Sequence, residues 1–124
     1  MSQRPRITPE QVITDGDMSH ATVASAVTIV QSIPAIAYTF QWTGTPTGSF
    51  SVQISNDYSL YPNGTVNNPG TWTTLPLGGT STVSGDDGSG AFDIRETGFY
   101  AIQLIYTKGS GSGTLNAYVA GKVL

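Results

Sequence analysis

Phe99-Tyr-Ala-Ile-Gln-Leu-Ile-Tyr-Thr-Lys-Gly-Ser-Gly-Ser-Gly-Thr-Leu-Asn-Ala-Tyr-Val-Ala-Gly121 decides the reading of this chain. Tyr100, Ile102, Leu104 and Tyr106 alternate with Ala101, Gln103, Ile105 and Thr107, the period of two that marks a strand. Beyond Lys108-Gly-Ser-Gly-Ser-Gly113, Leu115, Ala117 and Val119 alternate with Thr114, Asn116 and Tyr118 in a second strand. The short glycine-serine segment between them predicts an antiparallel hairpin, because glycine reaches the positive φ angles of a tight reversal.

Working outward, Ile33 to Thr43 sets Ile36, Tyr38, Phe40 and Trp42 on one face against Ala35, Ala37, Thr39 and Gln41 on the other. Gly44-Thr-Pro-Thr-Gly48 reverses the chain, and Phe50, Val52 and Ile54 then alternate with serines and Gln53, which predicts a second hairpin. The larger apolar set of each run, with Tyr100, Ile102, Leu104 and Tyr106, is expected to face inward. Asp17 to Val30 fits a short helix or strands, with Val27-Thr-Ile-Val30 favouring a strand. Asn56 to Gly70, dense in Asn, Pro and Gly, reads as a long loop carrying Tyr58, Leu60 and Tyr61. Shorter strands follow at Trp72 to Leu75, Thr80 to Val83 and Ala91 to Ile94. Seven to eight short strands at regular spacing predict an all-β, antiparallel, jelly-roll-like β-sandwich over residues 17–124.

Residues 1–16 stand apart in this reading. Arg4, Pro5, Arg6, Pro9 and Gly16 are interspersed with few large apolar groups beyond Ile7, Val12 and Ile13, so an extended N-terminal arm is expected. Its backbone groups need partners outside the segment. An arm of this length spans about 50 Å at roughly 3.3 Å per residue. Ile7, Val12 and Ile13 would anchor it on a partner, with Arg4 and Arg6 meeting acidic groups there. The competing expectation is that it folds back over its own sandwich.

At 124 residues the chain has the size of one domain, large enough to bury roughly two thirds of its unfolded surface. It has no cysteine, which excludes disulfides and thiolate metal sites. Charged residues make up 10%, well under the usual quarter or so, and with serine, threonine and glycine abundant the polarity is mostly hydroxyl and backbone. The net charge is −3 and the five basic residues are scattered, so no phosphate-neutralising face is expected and nucleic acid is an improbable partner. The polar start predicts no signal peptide, and no apolar run has the roughly 20 residues of a membrane helix.

No residue set amounts to a catalytic mechanism. His20 is the single histidine, and no Gly-x-Ser-x-Gly elbow frames any serine. Asp15-Gly-Asp17 and Asp86-Asp87-Gly-Ser-Gly90 offer oxygen ligands for calcium without the spacing of a calcium loop, and aspartate is ordinary in turns. Asp93 and Glu96 lie near a strand, but nothing buries either as a glycosidase acid would require. The chain is therefore expected to be non-enzymatic, with no cofactor and no metal. Tyr58, Leu60 and Tyr61 form a possible contact surface, and Tyr58, Tyr61 and Trp72 could stack on sugars. The loop residues could equally fold back to cap the core, and a tryptophan in a short sandwich strand is more often core.

Trp42-Thr-Gly-Thr-Pro-Thr-Gly-Ser-Phe-Ser-Val-Gln-Ile-Ser55, Gly70-Thr-Trp-Thr-Thr-Leu75, and Tyr106-Thr-Lys-Gly-Ser-Gly-Ser-Gly-Thr-Leu-Asn-Ala-Tyr118 with Gly121-Lys122 carry a resemblance. Over residues 36 to 122 the chain resembles small tailed-bacteriophage virion accessory proteins, which show an aromatic strand, a Trp-Thr-Gly-x-Pro-x-Gly turn, a Gly-x-Trp strand and a closing Ser-Gly-x-Gly-Thr-Leu hairpin. The resemblance implies a structural protein of the virion, a capsid decoration (cement) or head-fibre component assembled in the host cytoplasm. Its partners would be the major capsid protein or other virion proteins, and a homo-oligomer, a trimer, is expected. The alternative is a glycan- or receptor-binding module of a phage tail or head fibre.

Overall fold

A computed structural model describes residues 7–30, 35–75, 82–94 and 99–122, leaving the side chains of residues 7, 8, 82, 84 and 122 undescribed. Within these the chain forms β1 (Ile7–Asp17), β2 (Thr22–Ala24), β3 (Thr28–Ile29), β4 (Ala35–Gly44), β5 (Thr47–Ser55) and β6 (Ser59–Leu60). They are followed by β7 (Val66–Asn68), β8 (Thr73–Leu75), β9 (Thr82–Ser84), β10 (Gly88–Ile94), β11 (Ala101–Ser110) and β12 (Gly113–Lys122). One sheet runs β1-β12-β4-β10. The other runs β2-β11-β5-β8, with β3 beside β2 on the same edge of β11 and β9 beside β8 on the same edge of β5. Every pairing is antiparallel.

Counting β2 with β3 and β8 with β9 as one position each, eight strands divide between two four-wide sheets, alternating except at the fourth and fifth, which share one. In that numbering one sheet reads first-eighth-third-sixth and the other second-seventh-fourth-fifth, which is the jelly roll. The expected all-β sandwich is the fold. β6 and β7 pair off it as a two-stranded tip.

The two expected hairpins are not hairpins. β4 and β5 lie in different sheets, as do β11 and β12; β12 pairs with β4 from Gly113↔Gly44 to Lys122↔Ala35, and β11 with β5 from Ser110↔Thr47 to Ala101↔Ser55. Each glycine-rich segment is a corner at which a strand leaves one sheet for the other, and the two corners stack. The Thr45 N–H donates to the Ser112 carbonyl at 2.9 Å, so the ladder continues through the bend. Alternation along a strand specifies which side chains point inward, and it does so equally for a hairpin and for two strands lying face to face. Gly44 (φ 104°) and Gly111 (φ 77°) hold the left-handed conformations the corner needs.

The inward faces meet as expected. Ile36, Tyr38, Phe40, Phe50, Val52, Ile102, Leu104 and Tyr106 are buried, with Trp42 and Ile54 half-buried against them. Phe40 sits at the centre, its ring 4.2 Å from Phe50, 5.5 Å from Phe92 and 6.1 Å from Trp42. Tyr100 departs from expectation: it is half-buried outside this cluster, at the start of β11, where its N–H donates to Asn56 Oδ1 at 2.8 Å.

The N-terminal arm is also corrected for its described part. Residues 7–17 are β1, the first strand of the jelly roll, paired along β12 with several register shifts. Ile13 is 5% exposed in the core, Val12 is half-buried against it, and the Val12 carbonyl accepts from Ala26 N–H at 3.0 Å. These two side chains pack into their own sandwich. Ile7 is described by its backbone alone, opposite Gly121, and Arg4 and Arg6 lie outside the described residues. The physical reason is edge completion: without β1 the inner strand β12 would carry an unpaired backbone edge, and one large apolar side chain suffices to seat the strand that covers it.

Candidate functional site

The loop carrying Tyr58, Leu60 and Tyr61 divides into a knotted base and an apolar tip. Ser55 Oγ accepts from the Asp57 and Tyr58 N–H groups at 3.3 and 3.2 Å and donates to Asp57 Oδ1 at 2.7 Å. Asp57 Oδ1 also accepts from Thr71 N–H at 2.6 Å, and these bonds hold its carboxyl below the ordinary carboxylate range. The Tyr58 ring tilts onto Trp72 at 5.8 Å, and the Trp72 indole N–H donates to the Pro69 carbonyl at 2.9 Å. Tyr58 and Trp72 thus close the loop's base. Leu60, Tyr61 and Val66 stand exposed on the β6–β7 tip.

The remaining exposed large apolar side chain among the described residues is Tyr118, on the outer face of the four-stranded sheet. Register places its neighbours. Tyr118 lies opposite Thr39 on one side and Gln11 on the other, and Thr39 lies opposite Ala91. The next row on the same face, one two-residue step of about 7 Å along, is Asn116, Gln41 and Ser89. The row after it holds Thr114 opposite Thr43. In the other direction Ala120, Ala37 and Asp93 continue the face.

Asn116 is pinned at the middle of this surface. Its Oδ1 accepts from Gln11 Nε2 at 2.9 Å and from the Asp15 N–H at 2.9 Å, which turns its amide N–H group toward Asp15 Oδ1 at 3.5 Å. Asp15 (φ 49°) is the one non-glycine residue at positive φ among the described residues. Across the sheet, Asp87 Oδ1 accepts from the Gly44 N–H and the Asp86 carbonyl accepts from the Trp42 indole N–H, both at 2.7 Å. Gln41, Trp42, Thr43, Asp87, Thr114 and Asn116 line a recess of about 460 Å³, within the range of small-ligand sites. A second of about 260 Å³, lined by Thr39, Gln41, Ser89 and Tyr118 among others, adjoins it.

The other candidates do not assemble into chemistry. His20 lies 3.6 Å from Asp17, both largely exposed, and Ser19 Oγ donates to Asp17 Oδ1 rather than facing the imidazole. Among the described residues no three of His, Cys, Asp and Glu converge to hold a metal. Asp93 lines a shallow apolar depression with Ala35, Ala37 and Ala120. Sequence reading missed the Tyr118 face, although its signal is present: Thr114, Asn116 and Tyr118 occupy the polar phase of the β12 alternation, and an aromatic there must face outward.

No family model matches this chain, and no curated protein matches it. Solved structures of similar shape include the enzymatically active domain of tailspike protein 4 from bacteriophage CBA120, at 13% identity and a TM-score of 0.47. That match covers 82% of this chain and 14% of the tailspike chain, so this chain spans a small part of its length. Chitosan-binding module 1 of a chitosanase/glucanase from Paenibacillus sp. IK-5 matches at 20% identity and a TM-score of 0.45, covering 91% of this chain and 93% of the module. A CBM4 structure matches at 13% identity and a TM-score of 0.42, covering 90% and 68% of the respective chains. At this distance none of them informs the residues of the sheet face.

Proposed function

We propose that this protein is a non-enzymatic glycan-binding module whose site is the outer face of the four-stranded sheet around Tyr118. The observation that carries the proposal is Tyr118, 37% exposed, in a row and its neighbour that also hold Gln11, Thr39, Gln41, Asn116 and Ser89, with Ala91 at the end of the Tyr118 row. A sugar ring offers one flat C–H surface and a rim of hydroxyls that both donate and accept. An aromatic ring suits the first, and amides and hydroxyls suit the second. On the strength of the sequence resemblance alone, we place the module in a phage particle, as a head- or tail-fibre component.

Sedimentation with a panel of insoluble polysaccharides, followed by affinity measurement on oligosaccharides of whichever one retains the protein, tests the proposal. Tyr118→Ala is expected to lose tenfold or more in affinity, about 1.4 kcal/mol or more, while its melting temperature stays near wild type because the ring is exposed. If Tyr118→Ala binds as well as wild type and Tyr61→Ala does not, the loop tip is the site and the sheet face is not.

A further inference from the structure

We infer that Asn63 is a site of self-modification: in the folded protein its side-chain amide is lost to attack by the Gly64 nitrogen, which converts the loop tip from asparagine to aspartate and isoaspartate. The reaction favours a glycine in the second position, because any other side chain crowds the attacking nitrogen. The chain has three such steps, Asp15-Gly16, Asn63-Gly64 and Asp87-Gly88. At Asn63 the Gly64 nitrogen gives up its proton and bonds to Asn63 Cγ, the bond from Cγ to the side-chain nitrogen breaks, and ammonia leaves with that proton. The product is a cyclic imide. Water opens it at one carbonyl or the other, leaving aspartate or isoaspartate.

The fold separates the three steps. Gly16 is paired with Leu115 and Gly88 with Trp42, each within a sheet ladder. A Cβ on Gly16 would lie 2.8 Å from the Ile13 side chain, and one on Gly88 would lie 2.6 Å from the Trp42 ring. Their aspartates are tied across the fold as well, Asp87 through its Oδ1 to the Gly44 N–H and Asp15 through its own N–H to Asn116 Oδ1. Reaction at either therefore needs part of a sheet to open. Asn63-Gly64 lies on the β6–β7 tip, where Leu60 to Pro69 are all exposed and Gly64 has open space around it. Its turn is closed locally, by the Tyr61 N–H donating to the Thr65 carbonyl at 2.8 Å and the Gly64 N–H donating to the Tyr61 carbonyl at 2.9 Å. The second bond must be released before attack, and opening an exposed turn costs far less than opening a sheet. Asn63 Oδ1 meanwhile accepts from the Thr65 N–H at 3.1 Å and the Thr65 hydroxyl at 2.7 Å. Both donors face the oxygen on which negative charge develops as the nitrogen adds to Cγ. The product sets a new carboxylate among Leu60, Tyr61 and Val66, the exposed apolar side chains of the tip.

Incubation of the full chain for days at mildly alkaline pH, followed by chymotryptic digestion, tandem mass spectrometry and an isoaspartate assay on the fragments, tests this. While the protein stays folded, Asn63 is expected to convert about tenfold faster than Asp15, Asp87 or any other asparagine. Gly64→Ala, shown by its melting curve to be folded, should slow the conversion about tenfold, because its Cβ crowds the nitrogen. In urea, where the ladders are gone, isoaspartate should form at Asp15 and Asp87 as well. Asn63 still intact after the incubation, another asparagine converting first, a Gly64→Ala variant that converts at the wild-type rate, or the same set of products from folded and unfolded chains each overturns the inference.

Discussion

Gly44 and Gly113 face each other at the corner where two strands change sheets, so closely that a Cβ on Gly44 would lie 2.8 Å from the Gly113 Cα and 2.7 Å from the Ser112 carbonyl. Gly44 also needs a positive φ. Gly64, in the loop tip, needs a positive φ too but has open space around it. Alanine at Gly64 should therefore cost only the conformational strain, about 1 kcal/mol. Alanine at Gly44 adds a backbone clash and should cost about 2 to 4 kcal/mol. Urea unfolding of the two variants measures the difference, and equal costs would mean that the corner is looser than its geometry.

Phe40 gives the complementary test at the centre of the sandwich. It is 5% exposed and touches rings from both sheets, Phe92 and Phe50. Phe40→Ala should cost about 3 to 5 kcal/mol, since the ring's contacts are lost and strands crossing between sheets leave little room for collapse. A melting temperature within a degree or two of wild type would contradict this.

Phe40, Tyr38 and Ile36 were legible in the sequence because burial follows parity along a strand, and parity needs no knowledge of the partner strand. What pairs with what was not legible. Lys108-Gly-Ser-Gly-Ser-Gly113 has the composition of a hairpin turn, and only the opposite face of β4 and β5, waiting across the corner, makes it a sheet-switching bend. β1 was misread for a related reason: Ile13 alone carries its deep burial, and the backbone edge of β12 that it satisfies is invisible in a local window. Tyr118 and Asn116 were visible as polar-phase residues, but the rows that join them to Gln41 and Gln11 come from strands over 70 residues away in sequence.

Asp57 ties the base of the loop at 56–72, and its carboxyl is held below its ordinary value of 3.8 by Thr71 N–H, then by the Ser55 hydroxyl. A folded-state value below the unfolded one means that the contribution is full above the unfolded value and is lost as pH falls through the lowered one. The melting temperatures of wild type and Asp57→Ala should therefore differ by a constant amount at neutral pH, and the gap should close as the pH drops below 3.8. A gap that persists in acid would show that the carboxylate is not what ties the loop.

The N-terminal strand gives the test with the widest consequence. If residues 1–16 were an attachment arm, removing residues 2–14 would leave a domain that melts like the full chain. The jelly roll predicts otherwise. That deletion removes the pairing of Ile7, Glu10, Gln11 and Ile13 with β12, exposes the β12 edge, and empties the space filled by Ile13. It also removes Gln11, one of the two donors that orient Asn116 on the sheet face. The truncated chain should unfold well below the wild-type temperature. The point variant Ile13→Ala, which keeps the ladder, should lose about 2 to 4 kcal/mol, while Gln11→Ala should hold its melting temperature and weaken glycan binding through Asn116. A truncated protein as stable as wild type would return these residues to the role of a free arm.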